Sequence, residues 1–438
     1  MFSKLTQNLN LSEKNTFKLH LGYSSIEGFI AGILALNEFV FIKSMKGSEI
    51  QLSVLFQFSV VVYIFLVFFN EFLRNYPNKE QLLKITAIIT RVPLLLLFFF
   101  PHNLESLKQH PEYHYAFLLI ILIYYFALPV VSPLINLQLK SNYRHENFGK
   151  LYGYSTSVNK ILMLVTTFFY GLMLDADNFS FRCVFPITGI LGMVSIFMLA
   201  NIPTPSHEST EAKVTFFKSI QNSMRSMRLI VDSNKSYRHF EWGFMFYGFA
   251  FMSTVTIITI YFDKVLHLNY SSVAFYKNMY NILAILMLPF LGKLLGKIDP
   301  RKFAVLTFFS IFLYIFFMMM TTFFRWHISV MGIQIYAMLI GYLLAQSFFS
   351  SSMPLLFNIG SAYFCKSEEA GDYQSVHLFL TSVRSFFAPV LGVLFYQVYG
   401  FTVTFIIGMG FVVIAMGIMI WSYKKDMLTT GKDECERY

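Results

Sequence analysis

The sequence predicts an all-α polytopic membrane protein whose twelve transmembrane helices form two six-helix pseudo-repeats. Three observations lead there. Stretches of roughly twenty apolar residues, broken by short polar connectors, recur from Gly22 to Tyr423. A hydrocarbon core about 30 Å thick takes about 20 helical residues per crossing and admits only internally hydrogen-bonded backbones. Hydrophobic residues make up 56% of the 438 positions and charged residues 13%, too apolar a balance for an ordinary soluble fold. Finally, 24 of the 34 Lys and Arg residues fall on one side if every stretch crosses once. That bias places both termini in the cytoplasm, and an odd number of crossings would scramble it. It also accounts for the net charge of +10 without nucleic acid as a partner.

Residues 1–21 are polar, with Lys4, Glu13, Lys14 and Lys18, and read as a cytoplasmic N-terminal segment with no cleavable signal. The first bundle spans 22–202, with crossings near 22–42, 53–73, 83–100, 115–138, 151–173 and 183–202. On its first helix Glu27 and Glu38 are eleven residues apart, almost three turns, which predicts a shared face. Gly28 and Gly32 beside them form a G-x-x-x-G spacing that lets another helix approach closely. Residues 203–239 form a cytoplasmic linker that opens with Pro203, Thr204, Pro205 and Ser206 and carries an amphipathic helical stretch from Ala212 to Ile230. The second bundle spans 240–423, with crossings near 240–262, 272–295, 303–324, 328–356, 372–398 and 402–423, and 424–438 is a cytoplasmic tail. Thr156, Ser157 and Val158 reappear as Thr381, Ser382 and Val383 at an offset of 225 residues, close to half the chain. Parallel repeats of this kind are one way to build an alternating-access transporter.

This architecture, with its basic central loop, resembles the major facilitator superfamily over nearly the whole chain. The stretch Gly292, Lys293, Leu294, Leu295, Gly296, Lys297, Ile298, Asp299, Pro300, Arg301, Lys302 is similar to the family's loop motif of a glycine, an acid four residues on and a basic cluster, with Gly296 in the acid's place. The first-half counterpart, Glu71 through Asn78 and Lys79, keeps an acid and basic residues but lacks the opening glycine. The resemblance implies gating contacts by Gly292, Lys297, Asp299, Arg301, Lys302 and Glu71. Span five, Leu162 to Leu174, has Gly171 but no proline, which departs from the family's drug and proton antiporters.

Ionisable side chains in mid-membrane are functional hypotheses by default. Counting along the spans puts Arg91 and Lys160 near the midplane and Arg384 slightly beyond it. Each of the three either pairs with a carboxylate across helices, snorkels, or meets solute; as substrate-binding residues they point to an anionic cargo, of which a metal-chelating siderophore is one example. Glu38 and Glu27 are proton-coupling candidates, and His377, seven residues from Arg384 and on its face, is the third. The alternative for each is a permanent structural hydrogen bond or ion pair. His110 and His114 have metal-like spacing near His102, but Pro111 and the short non-cytoplasmic connector favour a polar interface, so no metal or cofactor is expected. Cys183, Cys365 and Cys435 show neither metal spacing nor a framework of pairs. No G-x-S-x-G elbow, P-loop lysine or H-E-x-x-H motif is present. The expectation is therefore a non-enzymatic, proton-coupled secondary transporter of a small organic solute, integral to the plasma membrane (the inner membrane in a bacterium). A multi-pass membrane enzyme and a transport-dead sensor on the same fold are the alternatives.

Overall fold

Helix formation begins earlier than the apolar pattern does. The computed structural model describes residues 9–65, 76, 78–204, 216–365 and 369–435. The chain divides into two compact units, Met1–Lys213 and Val214–Tyr438. The first unit opens with α1 (Leu11–Leu34), where the Asn10 side chain accepts from the Glu13 amide and Glu13 reaches back to the Asn10 amide, a reciprocal capping box. Glu13 is fully buried and also accepts from the Arg144 amide at 2.9 Å and from Asn147 Nδ2 at 3.1 Å. A carboxylate that satisfies so many donors fixes where the helix starts, although hydropathy marks the same residues as polar.

The chain turns at Ala35 and Leu36 and resumes as α2 (Asn37–Lys43). Next come α3 (Glu49–Val61), capped by Ser48 and Gln51, and α4 (Lys79–Arg91). Pro93 has no amide hydrogen to continue the α pattern, and the backbone tightens into a 3₁₀ segment, Val92–Phe99. The unit is completed by α5 (Leu104–Gln109), α6 (Glu112–Tyr125), α7 (Leu128–Asn142), α8 (His145–Ala176) and α9 (Phe181–Ala200). The helix α1 packs against α8 and α9. At Gly28 a β-carbon would collide with the Asn159 backbone, and at Gly32 it would lie 2.7 Å from the Met163 carbonyl oxygen. The G-x-x-x-G spacing therefore serves helix approach, with Thr167 Oγ1 donating to the Gly32 carbonyl at 3.1 Å.

In the second unit α10 (Phe216–Ser233) precedes α11 (Lys235–Lys264), whose first turn is capped by Asn234. Then follow α12 (Tyr270–Leu295) and α13 (Pro300–Met320), the latter capped by Asp299. The mostly helical chain is interrupted here: β1 (His327–Val330) and β2 (Ile333–Tyr336) form an antiparallel hairpin, pairing Ile328 with Ile335 and Val330 with Ile333. Met331 and Gly332 both have positive φ, 51° and 81°, the mirror-image turn that matches strand twist. The span read from 328 therefore starts in a strand. Its apolar residues there alternate with a period of two, which a twenty-residue hydropathy window averages away. The helix α14 (Ala337–Ile359) follows, then a 3₁₀ turn, Gly360–Phe364, and finally α15 (Ala370–Cys435), interrupted at Gly400 by φ 78° and ψ 177°. The pairs α11–α15, α13–α14, α13–α15 and α12–α14 make the main helix contacts. Ten helical stretches among the described residues are long and apolar enough to cross a membrane, with α15 counted once and the shorter apolar α3 left out.

Candidate functional site

Residues Glu241, Phe244, Tyr247 and Gly248 recur along α11 at three- and four-residue steps, so they share the face that meets α15. From α15 His377 and Arg384, seven residues apart, reach that face. His377 Nδ1 lies 2.9 Å from Glu241 Oε1 and 3.1 Å from Oε2, with both side chains buried. Its ring stands edge-on to Phe244 and Phe357, each at 4.7 Å between centroids. An ionised Glu241 accepts from a protonated Nδ1, and Nε2 is left buried without a hydrogen-bond partner.

Arg384 is 3% exposed, and its Nη1 donates to the Phe244 carbonyl. Its guanidinium carbon sits 5.5 Å from the Tyr247 ring centroid. Gly248 makes room for it, since a β-carbon there would overlap the guanidinium. Arg384 Nε is buried without a partner, and among the described residues no carboxylate forms an ion pair with this side chain. A buried, partly unsatisfied guanidinium on the helix face that also carries a histidine–carboxylate pair has the donor geometry to receive an anionic oxygen.

The first unit holds a related arrangement. Arg91, 4% exposed at the end of α4, donates from Nη1 to the Tyr124 carbonyl at 2.9 Å and stacks on the Tyr124 ring with its guanidinium carbon 3.9 Å from the centroid. A β-carbon on Gly192 would lie 2.8 Å from Arg91 Nε, so this arginine too rests against a glycine. Glu27 is half-buried and accepts from Ser195 Oγ at 2.5 Å. Tyr23 and Tyr124 each interact electrostatically with both Arg91 and Glu27. Glu38 lies beyond the turn at Ala35–Leu36 and interacts instead with Tyr125. The shared face expected for Glu27 and Glu38 therefore does not follow from their spacing, because that spacing does not run along one continuous helix. Lys160, expected as a substrate-binding cation, lies within α8. It is exposed, while its neighbour Asn159 donates to the Ser24 carbonyl at 2.9 Å on the side of α8 that meets α1.

In the loop motif Gly292 and Lys297 are exposed. Asp299 receives Arg301 Nε and Nη2, each at 3.0 Å, and Arg301 Nη1 donates to Asp426 at 2.5 Å and to Ser422 at 3.0 Å. Lys302 lies 4.2 Å above the Tyr423 ring. All these contacts are within the second unit and clamp the start of α13 to the end of α15. Glu71 lies outside the described residues. His110 bonds Glu112 at 2.7 Å and buried His114 bonds the Met45 carbonyl at 2.9 Å.

The sequence profile of the Major Facilitator Superfamily matches residues 20–339, well over half of the chain. The chain belongs to the Major Facilitator Superfamily. Among solved structures, that of the nucleoside transporter NupG (a mutant form) is similar at a TM-score of 0.66 and 14% identity, covering 93% of this chain and 100% of that one. The D-xylose-proton symporter gives 0.64 and 14%, over 92% and 96% of the two chains. A POT family transporter in complex with 5-aminolevulinic acid gives 0.67 and 11%, over 93% and 96%. A comparison with curated proteins gives no match.

Within this superfamily fold, two acids escaped the sequence reading. Glu241 is the second residue of the span read as 240–262, a depth that suggests interfacial water, yet α11 starts at Lys235 and brings Glu241 nearly two turns into the helix. The signal that could have found it is His377 and Arg384, two groups on one face with no acid assigned to them from the same half. Asp426 fell in the stretch read as tail, which is helical through Cys435.

Proposed function

We propose that this integral membrane protein is a secondary active transporter of a small anionic organic solute, coupled to protons and working by alternating access of two six-helix repeats. The observation that carries the reading is Arg384. It is a buried guanidinium with an unsatisfied Nε, cleared by Gly248, two turns along α15 from the His377–Glu241 pair. A buried cation with no ion pair among the described residues, and only the longer-range attraction of Glu241, is stabilised by an anionic guest, which favours a carboxylate or phosphate group on the cargo. Proton coupling is assigned first to the His377–Glu241 pair and second to Glu27 and Glu38. Arg91 supplies further positive charge in the first half. Lys160, within α8, is proposed as a further cation able to meet solute.

A count of twelve spans is supported by the ten long stretches, the break of α15 at Gly400, and α3, whose apolar run leads into undescribed residues. The bundles are assigned to 22–202 and 240–423, with both termini cytoplasmic by the basic asymmetry. Two neighbours in fold support this chemistry: one is a D-xylose-proton symporter, and another is a POT family transporter in complex with 5-aminolevulinic acid, a carboxylate. The test is uptake into proteoliposomes from a panel of carboxylates, phosphate esters, siderophores and neutral controls, with and without an imposed pH gradient. Accumulation of an anionic member that needs the gradient and falls at least tenfold in affinity in Arg384→Lys supports the reading. Uptake confined to neutral solutes, or unchanged in that variant, removes Arg384 and the anionic cargo together.

A further inference from the structure

A second charged site lies away from the buried clusters, where the first turn of α13 meets the end of α15. Arg301, Lys302 and Val305 on one side and Met419, Ile420, Tyr423 and Lys424 on the other line a cleft of about 220 Å³. The three cations are not equivalent. Arg301 is 6% exposed and is matched by two carboxylates, Asp299 and Asp426. Lys302 and Lys424 are exposed, and among the described residues neither has an ion-pair partner; Lys302 rests only on the face of Tyr423. Positive charge is therefore unmet at the mouth of the cleft, not at its back.

The walls have the opposite character. Val305 is one turn along α13 from Lys302, and Met419 and Ile420 are one turn back along α15 from Tyr423 and Lys424, so each helix carries its cation at the polar end and its apolar side chain one turn into the span. The apolar surface continues outward through Ile420 and Trp421, 43% and 51% exposed, and Lys425 sits 4.9 Å over the Trp421 ring. Two unmatched lysines above an apolar groove, flanked by a tryptophan and a tyrosine, match a ligand with an anionic head and a hydrocarbon tail. A soluble phosphate would leave the lower part of the cleft unfilled.

We infer that this cleft is a binding site for one anionic phospholipid, with the phosphodiester between Lys302 and Lys424 and an acyl chain along Val305 and Ile420. The assignment does not depend on the transported solute. Each lysine near a membrane surface contributes about 1 kcal/mol toward an anionic headgroup, so losing both lowers affinity roughly 30-fold.

The test is native mass spectrometry of the purified full chain with phosphatidylglycerol or phosphatidylcholine of equal acyl length. Wild type is expected to retain phosphatidylglycerol selectively, and the doubly substituted protein, Lys302→Gln with Lys424→Gln, to lose that selectivity at an unchanged Tm, since both side chains are exposed. Val305→Trp fills the groove without altering charge and should also displace the lipid, whereas Lys293→Gln, an exposed lysine outside the cleft, should not. Equal retention of phosphatidylglycerol by wild type and the double variant overturns the site. Glycerol 3-phosphate binding wild type as tightly as phosphatidylglycerol overturns the lipid assignment in favour of a soluble phosphate.

Discussion

An arginine buried against a glycine constrains both residues. Adding a methyl group at position 248 forces the Arg384 guanidinium to move, and overpacking of this kind costs about 1–3 kcal/mol. Gly248→Ala should therefore lower the Tm of the purified protein and weaken ligand binding, while combining it with Arg384→Ala should restore part of the lost Tm, a coupling that a double-mutant cycle measures directly. Additive losses in that cycle would mean that the two residues do not act on one another. Glu241→Gln keeps a hydrogen-bond acceptor for His377 but carries no charge. The expected outcome is loss of gradient-driven accumulation with solute exchange preserved, and full accumulation by this variant would shift coupling to the first-half acids. Arg91, Arg384 and His377 were legible because an ionisable residue inside an apolar run announces itself. Lys160 is exposed where Arg91 is buried, a difference the sequence does not carry because counting residues gives depth but not azimuth. Glu241 was missed because depth was measured from the edge of the apolar run, not from the helix start.

Elements were readable where their signal was local. The G-x-x-x-G spacing of Gly28 and Gly32 identified a close helix contact, and the structure supplies its partner, α8. The turn between α1 and α2 and the hairpin between α13 and α14 were not readable, since apolar composition is equally compatible with a continuous helix, a broken helix and a short strand. The helical continuation past Tyr423 was hidden for a different reason: the residues there are polar, and what holds them is the Arg301–Asp426 contact made across 125 positions of sequence. Asp426→Asn removes one of the two carboxylates that match a nearly buried guanidinium. It should destabilise the second unit by about 1–3 kcal/mol, seen as a lower Tm. A Tm equal to wild type would show that Asp299 alone suffices.

At the scale of the whole chain, the two units use the same packing devices at positions that the 225-residue offset does not pair, since that offset sets Arg384 against Asn159 and not against Arg91. Each unit carries a buried arginine resting on a glycine, Arg91 with Gly192 and Arg384 with Gly248. Each also has a glycine pressed to the backbone of a helix four elements away in the span order, Gly28 against Asn159 and Gly392 against Ser253. The topology assignment makes its own prediction: reporter fusions after Lys218 and after Tyr438 should both report cytoplasm and one near Lys108 the opposite side, and oppositely placed termini would sink the twelve-span count. The β1–β2 hairpin matters to how such a chain can be watched at work. Asn269 Nδ2 donates to the Gly332 carbonyl at 2.9 Å, Ser272 Oγ accepts from the Gln334 amide at 2.8 Å, and Tyr276 Oη accepts from the Tyr336 amide at 2.9 Å. Met331 at its tip is 96% exposed. A fluorophore attached there, after replacement of the native cysteines, rides on a stiff lever bolted to α12, so changes in its distance to a second dye register tilting of the helices themselves and are not blurred by the swinging of a slack connector.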